Sequence, residues 1–144
     1  MDSRIDLDHA VTTTKRFLTG KLLQSGLHGY VVGMSGGIDS AVSAGLAVAA
    51  VGPDKVLAVT MPYRTSSPHS ISDARRLIEL YGIECRHVDI SPMIDAYFPV
   101  IDDSNRVRAG NKMARERMTI LFDLGTENGR TGLGPGNCTE LDAG

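Results

Sequence analysis

Apolar positions along this chain alternate between two periods, and the changes of period mark the elements. Leu7, Val11, Leu18 and Leu22 recur at helical spacing between polar residues, predicting a helix over 4–24 that Asp2 or Ser3 caps and Gly26 ends. Gly29 to Val32 is a short β-rich run, and the small residues of Ala41 to Val51 predict a helix that packs closely on a sheet. After the turn Gly52-Pro53-Asp54, Lys55 to Met61 is apolar over a strand's length, the pattern of a strand buried on both faces. A polar loop, Pro62 to Ser70, precedes a helix predicted over Asp73 to Tyr81. Ser70 or Ser72 would cap it, Ala74, Leu77, Ile78 and Tyr81 would face inward, and Gly82 would stop it. A third strand over Glu84 to Ile90, a short helix from Ser91-Pro92 to near Pro99, a long helix from Ser104 to about Glu127 and a fourth strand over Thr131 to Gly134 complete the reading.

Strand and helix alternate throughout, which predicts a single α/β domain over 1–144, a doubly wound parallel sheet flanked by helices. Ligands of such sheets lie beyond the carboxyl ends of the strands. Three segments converge on that edge: Gly33 to Ser40, Pro62 to Ser70, and Gly134 to Glu140.

A 144-residue chain can bury roughly 68–70% of its unfolded surface, enough for one core. A net charge of −2 and a pI near 6.0 argue against general binding to nucleic acid or to anionic membranes. The run Ala41 to Val51 is too short to span a bilayer, and the first residues lack the pattern of a secretory signal. Cys85 and Cys138 are isolated, which suits a reduced, cytoplasmic setting, and His9, His28, His69 and His87 form no metal-ligand spacing.

The chemistry concentrates in Gly33-Met34-Ser35-Gly36-Gly37-Ile38-Asp39-Ser40, between the first strand and the second helix. A strand, a glycine turn and a helix start in that order aim backbone N–H groups and the helix dipole at an anion. Gly36 and Gly37 can adopt positive φ and admit a phosphate close to the backbone. Ser35 and Ser40 add hydroxyls. Asp39 would repel a bare phosphate, so its presence points to a cation between the two. No lysine lies between Lys21 and Lys55, which excludes the common phosphate loop.

The long helix carries Arg106, Arg108, Lys112, Arg115 and Arg117 with Glu116 as the one acid among them. Arg108, Lys112 and Arg115 share a face, while Met113, Ile120, Leu121 and Leu124 form an apolar stripe suited to an interface or to internal packing. Such lopsided charge suits an anionic partner such as the phosphates of a dinucleotide. Arg64, in the loop after the second strand, is a further candidate for phosphate contact. Glu140, in Gly134-Pro135-Gly136-Asn137-Cys138-Thr139-Glu140, is a candidate second carboxylate for the cation beside Asp39.

The Ser-Gly-Gly-Ile-Asp-Ser core of the first loop resembles that of the ATP pyrophosphatases. With Met61-Pro62-Tyr63, Gly110-Asn111-Lys112-Met113-Ala114-Arg115-Glu116-Arg117-Met118 and Asn137-Cys138-Thr139-Glu140, it resembles NAD synthetase in order and spacing over nearly the whole chain. That resemblance implies a Rossmann-like fold of the adenine nucleotide α-hydrolase kind and a ligase forming a C–N bond. ATP would adenylate the carboxylate of deamido-NAD, and ammonia would displace AMP to give NAD. It also implies that Gly33 to Ser40 bind ATP, that Asp39 and Glu140 hold Mg2+, that Arg115 contacts deamido-NAD, and that the protein is a homodimer. The position where the family usually has an ATP-contacting Thr is Pro135, which has neither hydroxyl nor N–H. Family members continue past Gly144, so the chain is expected to lack their C-terminal part. Two alternatives stand beside this reading: a tRNA-modifying relative with the same loop, and a non-catalytic nucleotide-binding or dimerising form.

Overall fold

Val56 to Val59 and Tyr30 to Val32 are buried on both sides, and everything else is laid around them. In the computed structural model, which describes residues 3–133, these runs are β2 (Val56–Thr60) and β1 (Gly29–Gly33), the two central strands of one parallel sheet. β3 (Glu84–His87) pairs with β2, and β4 (Arg130–Leu133) pairs with β1, so the order is β3-β2-β1-β4. The chain steps outward from β1 to β3 in one direction and returns to β1's other side with β4. The reversal falls between β1 and β4, and their carboxyl ends flank the crevice where such sheets bind ligands.

One face of the sheet carries α1 (Ser3–Ser25), α2 (Ile38–Val51) and α3 (Pro68–Tyr81), packed through Leu18, Leu22, Tyr30, Val32, Ala44, Ala47, Ala58, Ala74 and Ile78. The other carries α4 (Ser91–Tyr97) and α5 (Arg106–Asn128), packed through Val31, Leu57, Val59, Ile90, Ile94, Phe98, Leu121 and Leu124. This is the predicted doubly wound arrangement. The buried Tyr30 hydroxyl donates to the Leu18 carbonyl at 2.6 Å, so its polar end is satisfied. No helix among the described residues is long and apolar enough to cross a membrane.

The stripe Met113, Ile120, Leu121 and Leu124 packs inside the chain: Leu121 and Leu124 are buried, and the other two lie partly buried against the same cluster. Four further details differ from the sequence reading. Leu7 and Val11 continue the apolar stripe of α1 but stay 64% and 38% exposed, whereas Leu18 and Leu22 are buried. Lengths explain this: a five-residue strand spans about 17 Å and a 23-residue helix about 34 Å, so α1 outruns the sheet beneath it. α3 begins at Pro68 rather than Asp73, because the Ser67 hydroxyl caps the His69 amide and proline suits the first helical turn. α2 begins at Ile38, so Asp39 and Ser40 belong to its first turn. β3 is shorter than predicted and largely exposed, as an edge strand. The amides of Val88 and Ile90 nevertheless bond the carbonyls of Thr60 and Pro62 at 2.8 and 3.0 Å and carry the pairing further.

Candidate functional site

The loop leaving β1 is built by bonds among its own polar groups. Met34 turns its side chain into the core, and its amide donates to the Val59 carbonyl at 2.8 Å, the last rung between β1 and β2. Beyond it the chain turns on Ser35 and Ser40. The buried Ser40 hydroxyl donates to the Gly37 carbonyl at 3.1 Å and accepts from the Ser35 amide at 3.2 Å. The Ser35 hydroxyl lies 3.2 Å from it and accepts from the Gly37 amide at 3.3 Å. These hydroxyls shape the loop.

Gly36 takes φ +84, and a Cβ there would stand 2.3 Å from the Ser70 carbonyl of α3. Only glycine satisfies both conditions. Gly37 is the N-cap of α2 and offers no side-chain cap, so the first-turn amides of α2 receive none. The exposed carboxylate of Asp39 stands in that turn, and Ile38 is 81% exposed. The loop thus combines uncapped helix amides with an exposed carboxylate that pairs with no described cation. That donor set suits one carboxylate ligand of a magnesium ion that also takes phosphate oxygens and water. Among the described residues no group of three His, Cys, Asp or Glu side chains could hold a metal by itself. Pro135 and Glu140 lie outside the described residues.

The loop after β2 is clasped to α4. The Tyr63 hydroxyl donates to Asp95 Oδ1 at 2.7 Å, the Arg64 guanidinium pairs with Asp95, and the Arg64 amide donates to Ser91 Oγ at 2.9 Å. Arg64, a candidate phosphate contact, is therefore engaged with a carboxylate. The Ser91 amide donates to Asp89 Oδ1 at 2.8 Å; the Ser91 hydroxyl, then this amide, hold the Asp89 carboxyl below the usual carboxylate range. Across the ends of β2 and β3, Thr60 Oγ1 and His87 Nδ1 are 2.8 Å apart.

Arg115 stands on a different surface. It lines a shallow cavity of about 370 Å³ between α4 and α5 with Tyr97, Phe98, Arg108 and Lys112. Arg108 lies 5.3 Å from the Phe98 ring centre and Lys112 5.4 Å from that of Tyr97, while Lys112 Nζ pairs with Glu116 at 3.0 Å. The shared face predicted for Arg108, Lys112 and Arg115 is present. Sequence reasoning counted Arg117 among the cations suited to an anionic partner without singling it out; its Nε donates to the Met61 carbonyl at 2.9 Å. The available signal was its place inside the apolar stripe of α5.

The family model described as NAD synthase matches residues 10–144. The NH3-dependent NAD+ synthetase of Trichlorobacter lovleyi is 50% identical over 125 residues, which cover 87% of this chain and 46% of that relative. The chain spans about half the length of the curated relatives it matches. Among solved structures, the NH3-dependent NAD synthetase of Campylobacter jejuni superposes with a TM-score of 0.83 at 31% identity, over 98% of this chain and 59% of that one. The NMN synthetase of Francisella tularensis does so with a TM-score of 0.80 at 30% identity, over 92% and 56%.

Proposed function

The chain belongs to the NAD synthase family, and we propose that it binds Mg·ATP at the Gly33–Ser40 loop and takes part in amidation of deamido-NAD by ammonia. The uncapped α2 N-terminus behind the positive-φ Gly36 carries this reading. In the reaction a carboxylate oxygen of deamido-NAD attacks the α-phosphorus of ATP, and pyrophosphate leaves with the electron pair of the broken P–O bond. Ammonia then attacks the acyl carbon, AMP departs, and a proton is lost to give the amide of NAD. No protein nucleophile is required.

The residues supply position and field. Loop amides and the α2 dipole stabilise charge that grows on the departing pyrophosphate, and the Ser35–Ser40 pair fixes where those amides point. Magnesium, held by Asp39 and, from the family resemblance, by Glu140, would neutralise phosphate charge. Arg115, on the α4–α5 cavity, would bind deamido-NAD there through its guanidinium. A homodimer through α5 would use the helix's outer side, where Val107 and Phe122 are 77% and 45% exposed, since the apolar stripe is already packed.

The deciding experiment incubates the purified chain with magnesium, ATP, deamido-NAD and ammonium and follows NAD and AMP by mass spectrometry. Equal amounts of both are expected. AMP without NAD would overturn the substrate assignment, and neither product would overturn catalysis by this chain. The likeness to an NMN synthetase motivates a parallel incubation with the mononucleotide acid; faster turnover there would move the substrate to the smaller molecule.

A further inference from the structure

Helix α5 places one cation on its packed side. Arg117 follows Met113 by four residues and precedes Leu121 by four and Leu124 by seven, so it interrupts the stripe that covers the sheet. Its side chain is half-buried, and no carboxylate among the described residues pairs with it. The neighbouring acid, Glu116, is taken by Lys112.

The backbone partner of the guanidinium, the Met61 carbonyl, tells where it lies. Along β2 and just beyond it, the carbonyls of Thr60 and Pro62 accept from Val88 and Ile90 on the β3 side, while that of Val59 accepts from Met34 on the β1 side. The Met61 carbonyl, two residues past Val59, therefore faces the β1 side as well. There β1 has already left the sheet for the glycine loop, and Arg117 Nε takes the place of the missing rung. Leu121, one turn further along α5, would touch a Cβ on Gly33 at 3.5 Å, which sets Arg117 one turn beyond the end of β1. A half-buried cation without a counter-ion is costly, and burial pushes its pKa down. An anionic ligand in the gap between the ends of β1 and β2 would remove that cost.

We propose that Arg117 is an anion-binding residue of this cleft, which grips the triphosphate of ATP from the α5 side while the Gly33–Ser40 loop grips it from the α2 side. The assignment of the nucleotide rests on the reading of the loop given above; the anion site itself rests on Arg117's own surroundings.

The test is calorimetric titration of wild type, Arg117→Lys and Arg117→Gln with inorganic pyrophosphate and with Mg·ATP, beside urea unfolding of each. Arg106→Gln, an exposed arginine paired with Asp103, removes the same charge and serves as control. Affinity for both ligands is expected to fall roughly threefold in the Lys variant, which loses the planar fork, and at least about tenfold in the Gln variant. Unfolding midpoints should not drop, and the control should stay within about twofold, as for a screened surface charge. Equal affinity across the folded variants overturns the proposal, as does a wild type that ignores pyrophosphate. So does a Gln variant that loses stability while binding unchanged, which would make Arg117 only a prop for Met61. A defect that appears with pyrophosphate and not with Mg·ATP overturns the assignment to ATP. If the graded loss appears and the incubation yields no AMP, the anion site stands and the catalytic reading falls.

Discussion

The two ends of β1 are both rich in glycine and use it for opposite purposes. At the amino end, a Cβ on Gly29 would stand 2.0 Å from the Lys55 carbonyl, one on Gly125 would stand 2.7 Å from the Arg130 carbonyl, and the His28 amide donates to the Gly129 carbonyl at 2.7 Å. Glycine there lets backbone lie against backbone. At the carboxyl end, a Cβ on Gly37 would meet nothing closer than Ser35 Oγ at 3.4 Å, and the loop is knit by hydroxyls. Glycine there leaves amides open to something outside the chain. The same residue type marks a packing seam at one end of a strand and a binding surface at the other, and the steric surroundings distinguish them.

The largest effect should come from the seam. Gly29→Ala sets a methyl against an immovable carbonyl, and overpacking of this kind costs about 3 kcal/mol. Urea unfolding should show that loss, while Mg·ATP affinity of the remaining folded protein is unchanged. A Gly29→Ala protein of wild-type stability would break the contrast between the two ends.

Gly36 belongs to both categories, since it needs positive φ and also has no room for a Cβ beneath Ser70. Gly36→Ala should cost about 2 kcal/mol from the left-handed backbone and the displaced contact together, and should weaken Mg·ATP binding as well. The paired loss sharpens the comparison. Unfolding and titration of one variant measure both halves, and a loss of stability without a loss of binding would return Gly36 to the packing class.

What the sequence made legible follows the same division. Strand–loop–helix order, buried central strands and the glycine loop with Asp39 and Ser40 were all readable, because each rests on neighbours within a few residues. Contacts between distant segments were not. Nothing in the pattern announces that Asp95 takes Arg64 and the Tyr63 hydroxyl 31 and 32 residues away, or that the Ser70 carbonyl closes over Gly36. Leu7 and Val11 carry a correct helical period, yet periodicity says nothing of how far the sheet extends beneath them. The start of α3 was within reach, since Ser67-Pro68 is an N-cap followed by a favoured first-turn proline. Arg117 was readable too, as a charge in the middle of an apolar stripe.

Asp39 separates binding from folding most directly. Its carboxylate is exposed and pairs with no described cation, so Asp39→Asn should leave urea unfolding where it is. Mg·ATP affinity should fall about tenfold, roughly 1.4 kcal/mol, through loss of the carboxylate ligand. Titration with magnesium omitted should show wild type and variant alike. A variant equal to wild type in the presence of magnesium would detach the metal from this end of β1.

The smallest effect concerns acid. The clasp at the carboxyl edge passes through Asp89, whose carboxyl is held below its ordinary pKa by the Ser91 hydroxyl and amide. A carboxyl with a depressed folded-state pKa stabilises fully above its unfolded value, near 3.9, and loses that contribution as pH falls through the lower folded value. The amino-end seam is backbone against backbone and has no such dependence. Hydrogen-exchange protection of the Ser91 and Arg64 amides should therefore decline below about pH 4, while that of the His28 amide, bonded to Gly129, holds until global unfolding. Asp89→Asn should flatten the decline at Ser91 and Arg64 and leave His28 as it was. A parallel decline at all three amides would mean that acid opens the sheet as a whole, and that the two ends of β1 are not held by different means.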